Sequence, residues 1–287
     1  MKDLKHKQFI CLNGEMLPAT EPSLMHNNRA FCYGDAIFET IHANGTKMQF
    51  FDEHYRRLEK SMHILKFEES NRIRYGSLES YIIRLLNKNH LYNGVRVRLT
   101  IFRNPGGLYT PETNAPSFLI ETSPLLFDKY RLNEKGLKTG LFTDLQKQTG
   151  ILANLKTANS LLFILAGLHK KENGLDDCIL MNTETRLAES ISSNLFIMKK
   201  GTLITPALEE GCVAGVMRCQ ILRIASKEGI ECNESQVSED DLLMADECFL
   251  TNAIAGIRWV VAYKDKRYYS KTARLITASL NNEQFGK

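Results

Sequence analysis

No stretch of this 287-residue chain stays apolar for the roughly 18 residues that a membrane-spanning helix needs. Its seven cysteines (Cys11, Cys32, Cys178, Cys212, Cys219, Cys232 and Cys248) are odd in number, scattered and without a CxxC pair, which argues against a disulfide framework or a zinc site. Reduced, buried thiols are expected instead. Charge of one sign is also lacking: 37 Lys and Arg stand against 33 Asp and Glu, a net of +4. That balance is too mild and too dispersed for a nucleic-acid partner, and the pairs Lys170-Lys171 and Lys199-Lys200 read as solvated surface. With 18 glycines, 7 prolines, 43% hydrophobic and 24% charged residues, the composition is that of an ordinary globular protein. A disordered chain, a collagen-like repeat and a coiled-coil rod are excluded. The opening MKDLKHKQFICLNGE is charged and has no apolar centre, so no secretory signal is expected and a cytoplasmic location is. Generic catalytic signatures are missing too. There is no GxxxxGK[ST], HExxH, GxSxG or strand-borne GxGxxG, and the seven histidines lack ligand spacing, so no metal is expected.

What is present is a chain long enough for one large domain or two ordinary ones. QFICLNGEMLP reads as two short strands turning at Asn13-Gly14, and FCYGDAIFETIHANGTKMQFF as two β-rich runs joined at Asn44-Gly45-Thr46. Asp52 is a credible N-cap for a helix over EHYRRLEKSMHIL, and a second helix, LESYIIRLLNKNHL, follows Gly76-Ser77. GVRVRLTIFR alternates as a strand, NPGGLYTPETNAP is a Pro/Gly loop, and SFLIETSPL is another strand. The pattern then changes, and residues 122–134 are the expected connection between a smaller part (1–121) and a larger one (135–287). The larger part offers a strand at GLKTGLFT, a helix over TANSLLFILAGLHKKENG and a strand-rich stretch from Asp177 to Pro206. A helix around GVMRCQILRIASKEG follows, and ECFLTNA is the final strand with its sequel. The expected class is α/β or α+β in two domains with prominent antiparallel hairpins.

Three places could carry chemistry. Lys156, in ILANLKTANSLLF, lies between an apolar segment and the start of an apolar helix. A lysine there either snorkels to solvent or is held in an interior where its amine becomes nucleophilic. Glu189, in TRLAESISSNLFIM, is either an exposed strand residue or a buried carboxylate that wants a cationic partner. TPALEEGCVAGVMR places glycines before a helix, where free backbone N–H groups suit an anion, although helix entry turns of this kind are common. A nucleophilic lysine, a carboxylate and a phosphate-sized cradle are together the parts that hold pyridoxal phosphate. Arg57 or Arg56 could add a bidentate phosphate partner.

Taken in order, these segments resemble the class IV, or fold-type IV, pyridoxal-phosphate enzymes. That group includes branched-chain aminotransferases, D-amino-acid aminotransferases and aminodeoxychorismate lyases. RAFCYGDAIFETIHANG resembles the family's N-terminal hairpin, FDEHYRRLEKS its phosphate-arginine helix, LKTANSL its lysine motif and LAESISSNLFI its glutamate motif. TPALEEGCVAGVMR and ADECFLTNA resemble its phosphate-binding turns, so the resemblance covers nearly the whole chain. It implies a two-domain D-amino-acid-aminotransferase-like fold, a homodimer, pyridoxal 5'-phosphate as cofactor and a small-molecule amino substrate. Carried over by position, Lys156 is the Schiff-base lysine and proton shuttle, and Glu189 the partner of the pyridine nitrogen. Arg57, Asn194, Gly215, Val216, Met217, Thr251 and Asn252 complete the cofactor site. Tyr33, Phe38, Thr40, Arg96, Arg98, Arg103 and Tyr109 are the substrate-side candidates, with Arg96 and Arg98 expected on one strand face because side chains alternate.

Within the family, branched-chain aminotransferases usually carry tyrosine five residues after the lysine, a GITR-like turn and a GTA step. Here stand Leu161, GVMR and TNA, and the loop FRNPGGLYTPETN is similar to the lyase's GG-containing loop, with Leu108 where some lyases have arginine. The expected activity is therefore release of 4-aminobenzoate and pyruvate from 4-amino-4-deoxychorismate, a step toward folate. An aminotransferase for branched-chain or D-amino acids with 2-oxoglutarate is the alternative, and a catalytically idle cofactor-binding protein a third.

Overall fold

The computed structural model describes residues 8–21 and 24–286. The segment 1–7, which carries most of the charge behind the no-signal reading, lies outside the described residues. The chain divides into two compact units. One runs to Asp128 and takes in Lys156–Asn159; the other comprises Lys129–Leu155 and Ser160–Lys287.

The first unit is a six-stranded antiparallel sheet. Its strands are β1 (Phe9–Leu12), β2 (Glu15–Pro18), β3 (Ala36–Asn44), β4 (Lys47–Met48), β5 (Val95–Arg103) and β6 (Pro116–Pro124), in the order β2-β1-β6-β5-β3-β4. Asn13 and Gly14 both take positive φ, which closes the first hairpin. The helices are α1 (Arg29–Tyr33), α2 (Phe51–Ile64) and α3 (Tyr75–Lys88). Ile37 and Ile41 of β3, Val97, Leu99 and Ile101 of β5, and Phe118 and Ile120 of β6 share a core with Leu58 of α2 and Leu78, Ile82 and Leu85 of α3. Alternation then assigns Phe38, Thr40, Arg96 and Arg98 to the opposite face of the sheet.

Two readings need correction here. Arg29–Tyr33 is helical rather than part of a β run, because the Asn28 side chain caps it through Ala30 and Phe31 N–H and Gly34 ends it at φ 66. Asp52 is not the cap of α2. It lies in the first turn, after an N-cap Phe50 in the left-handed region, and its carboxylate accepts from Tyr75 Oη at 2.6 Å.

The second unit contains β7 (Leu137–Lys147), β8 (Asp177–Asn182), β9 (Leu187–Ser190), β10 (Asn194–Lys199), β11 (Thr202–Pro206), β12 (Cys232–Ser235), β13 (Glu247–Asn252), β14 (Gly256–Tyr263) and β15 (Lys266–Arg267). The sheet order is β12-β11-β10-β13-β14-β7-β8-β9, with β15 on β14. Because β9 also pairs with β10, at Glu189 opposite Asn194, six of these strands close into a ring. Its helices are α4 (Leu161–Glu172), α5 (Val216–Lys227), α6 (Glu239–Met244) and α7 (Lys271–Phe285). ECFLTNA is not the final strand. β14 and β15 follow, and α7 then buries Ala273, Ile276, Thr277 and Leu280 at helical spacing.

The helix expected from TANSLL starts only at Leu161, because the residues before it belong to a different element. Phe38 N–H donates to Lys156 O and Ala158 N–H to Ala36 O, both at 2.9 Å, so 156–158 is a strap on β3. Lys156 was expected in the larger second part; backbone pairing ties it to the first unit's sheet. Among the described residues no helix is long and apolar enough to cross a membrane.

Candidate active site

On the first unit, the strap sets the lysine over the sheet face that the helices leave uncovered. Lys156 Nζ lies 4.6 Å from the centroid of the Phe38 ring, and the Arg98 guanidinium carbon lies 4.1 Å from the same centroid. Arg98 pairs across β3 with Thr40, and Arg96 with His42, so the two arginines stand one alternation apart on that face. Burial and the neighbouring Arg96 both weaken the hold of Arg98 on its proton, with Glu121 opposing them. A cationic, aromatic-floored patch beside a lysine amine is suited to an anionic substrate.

Arg103 does not join them. It falls on the opposite face of β5, where Nε donates to Asp35 Oδ2 at 3.0 Å and Nη2 to Leu65 O at 2.9 Å, and Asn114 Oδ1 takes Nη1. Its role is to hold the base of the 104–114 loop, and it leaves the substrate set. Tyr33 and Tyr109 have ring centroids 5.7 Å apart, at the tip of the same loop. The residue that shapes this tip is Arg29, which the sequence reading missed. Buried at the start of α1, it pairs with Asp35 and donates through Nη1 to the carbonyls of Gly106, Gly107 and Leu108.

Arg57 sits on α2 with its guanidinium against Glu39 of β3: Nε donates to Oε1 at 2.8 Å and Nη2 donates to Oε2. His54 Nδ1 lies 2.6 Å from Glu39 Oε2. Burial alone would push the Glu39 carboxyl up, but Arg57 and the His54 hydrogen bond outweigh it and hold the group at about 2. Burial pushes the His54 imidazole down against the attraction of Glu39. Glu39 was not foreseen, and His54, expected on the helix surface, is instead buried against it, although the i, i+3 spacing of His54 and Arg57 on a helix was visible.

On the second unit, Glu189 of β9 is buried and both carboxylate oxygens are engaged. Oε2 accepts from Val213 N–H at 3.0 Å, and Oε1 takes the ammonium of Lys147, itself buried at the end of β7. The cation that Glu189 required is therefore Lys147, hidden in the polar-looking segment LQKQTG. Opposite Glu189 on β10, Asn194 donates to Val213 O at 2.8 Å. Its Oδ1 stands where a side chain at Gly215 would go: a Cβ there would lie 1.9 Å from it.

Gly215 is the N-cap of α5 and supplies no side-chain cap, so the amides of Val216 and Met217 open the helix with its positive dipole end. Thr251 lies opposite Asn194 on β13, and its buried Oγ1 has no hydrogen-bond partner among the described residues. An uncapped helix start, a glycine and an orphaned hydroxyl fit a phosphate ester, whose oxygens accept from N–H and O–H donors. The Asn252 side chain, by contrast, is committed to its own turn. It accepts from Ile254 and Ala255 N–H and donates to Ser193 Oγ at 3.0 Å.

A family model described as amino-transferase class IV matches residues 36–263. A probable branched-chain-amino-acid aminotransferase of Aquifex aeolicus (strain VF5) is 27% identical over 296 residues, covering 96% of this chain and 91% of its own. An aminodeoxychorismate lyase of Vibrio harveyi is 25% identical over 243 residues, covering 84% and 87%. A crystal structure of the branched-chain amino acid aminotransferase from Thermobaculum terrenum in its PLP form superposes with a TM-score of 0.85 at 20% identity, covering 97% of this chain and 94% of that one. These likenesses span both of the activities considered above.

Proposed function

Because the chain belongs to the class IV amino-transferase family, we propose that this pyridoxal-phosphate enzyme is a 4-amino-4-deoxychorismate lyase, releasing 4-aminobenzoate and pyruvate. The observation that carries this reading is the pair Arg96 and Arg98 on the sheet face shared with Phe38 and the Lys156 amine. The substrate carries two carboxylates, and two guanidinium groups one strand alternation apart match it better than they match an aliphatic amino acid with one. Leu161 and the Gly215-Val216-Met217-Arg218 turn support the same choice.

The cofactor, once bound, supplies an electron sink for charge developing on the carbon that bears the substrate amine. The chain's residues do the rest. Lys156 would hold the cofactor through its amine and, once released, would take the proton from the amine-bearing carbon of the substrate. Glu189 would hold the ring nitrogen and favour its protonated form. The Val216 and Met217 amides and the Thr251 hydroxyl would hold the phosphate, with Gly215 and Asn194 keeping that approach open, and Arg57 is the further phosphate partner that the family resemblance implies. Asn252 acts through its turn rather than its side chain. Arg96 and Arg98 hold the carboxylates, and Phe38 forms the floor. Lys156 or Thr40 returns a proton to the departing enolpyruvyl group.

The test is to incubate the purified protein and its Lys156→Ala variant with 4-amino-4-deoxychorismate, reading absorbance, 4-aminobenzoate and pyruvate. A visible cofactor band lost in the variant, with both products from the wild type alone, is the expected result. Amino exchange from branched-chain or D-amino acids to 2-oxoglutarate without aromatic product would overturn the lyase. It would establish the aminotransferase, which the leucine at 108 and the aminotransferase relative favour. No band even with added pyridoxal phosphate would remove the whole reading.

A homodimer is part of the same proposal, supported by the apolar residues that α4 leaves exposed. A cytoplasmic setting suits the seven free cysteines.

A further inference from the structure

Lys147 has no place in the reading given above, yet its surroundings are costly to assemble. It is 5% exposed and Glu189 is 3% exposed, so two full charges have been taken out of water. A buried ion pair survives only with close geometry and its remaining groups satisfied. Both conditions hold here: the ammonium meets Glu189 Oε1, donates also to Ala153 O at 3.3 Å, and lies 5.6 Å from the Phe163 ring centroid. Glu189 Oε2 is fixed from another direction by Val213 N–H. A carboxylate offers about four lone-pair sites, so two donors leave it able to accept a third hydrogen bond while its plane is set by the first two.

We propose that Lys147 is a positioning residue for Glu189, fixing the orientation of that carboxylate so that its remaining lone pairs stay available to the cofactor's ring nitrogen. The inference rests on the cofactor reading of Glu189. Lys147 touches neither substrate nor cofactor in this scheme and acts only through Glu189. Arginine would preserve the role, and a neutral side chain would abolish it.

Pyridoxal phosphate affinity and the visible spectrum of the bound cofactor, measured for wild type, K147M, K147Q, K147R, E189Q and K147M/E189Q, test this. K147M and K147Q are expected to weaken affinity by about tenfold or more, within the range of coupling between contacting groups, and to alter the band. K147R is expected to retain most of both. K147M/E189Q is expected to bind no more weakly than E189Q alone, because a lysine that works through Glu189 has nothing left to do without it. The double variant also removes both buried charges, so it keeps the comparison available should K147M fold poorly. Wild-type affinity and spectrum in K147M or K147Q would overturn the proposal, as would losses that simply multiply in the double variant. A wild type that binds no pyridoxal phosphate would instead remove the reading beneath it, whatever Lys147 does.

Discussion

Glu39 is the residue on which the first unit's response to acid turns. Its carboxyl is held at about 2 against an ordinary value of 4.5, so the native state releases that proton more readily than the unfolded chain. Its contribution to stability is therefore complete above pH 4.5 and is lost as pH falls toward 2. His54 and His42 are both held below their ordinary 6.5, mainly by burial. The unfolded chain takes up those protons first, so stability begins to fall as pH drops below 6.5. Both effects have the same sign, and the expected curve descends in two stages. Thermal midpoints measured from about pH 7.5 to about pH 2 would show both stages. His54→Asn, which keeps a donor near Glu39 without a titrating ring, should flatten the upper stage. A midpoint that stays constant down to about pH 5 would contradict the assignment of neutral, buried histidines. None of this was visible as spacing, because the pairing of Glu39 with α2 depends on where the helix lies on the sheet.

At the scale of elements, the strand alternation of β5 and the apolar spacing of α3 were legible, because each obeys a local period. α1 and the Lys156 strap were not. The first is a five-residue helix set by the Asn28 cap, and the second is extended only because β3 supplies its hydrogen bonds. The start of α5 yields a paired prediction. Gly215→Ala puts a Cβ 1.9 Å from Asn194 Oδ1, so the Asn194–Val213 bond must shift. Stability should fall by about 1–3 kcal/mol, with pyridoxal phosphate affinity falling as well. Thr251→Val should behave differently. The hydroxyl it removes has no partner among the described residues, so the cofactor-free protein should lose nothing or gain slightly. Phosphate affinity should nevertheless drop. Calorimetric melting of both variants with and without pyridoxal phosphate separates the two cases. A cofactor-free T251V protein destabilised as much as G215A would show that the hydroxyl has a structural task.

For the whole molecule, the exposed face of α4 points to self-association. Leu161, Ile164, Leu165 and Leu168 follow the i, i+3, i+4, i+7 pattern of one helical stripe, and they are 76%, 54%, 42% and 51% exposed. An apolar stripe of that kind usually marks a protein interface. Light scattering on a sizing column should give twice the 32.7 kDa chain mass, and Ile164→Glu with Leu168→Glu should shift it toward monomer. A monomeric wild type at micromolar concentration would reject the dimer.

The order of the six motifs was legible in the sequence alone, and with it the family resemblance that singles out Lys156, Glu189 and the turns at Gly215 and Thr251, because each motif is a run of adjacent residues. Only the tertiary structure decided that Arg103 faces away from Arg98, that Glu189 is paired with Lys147, and that His54 and Arg57 enclose Glu39. Those contacts join residues 15 to 68 positions apart. No period or propensity specifies them, since strand register and helix placement are settled by burying one continuous core rather than by neighbours along the chain.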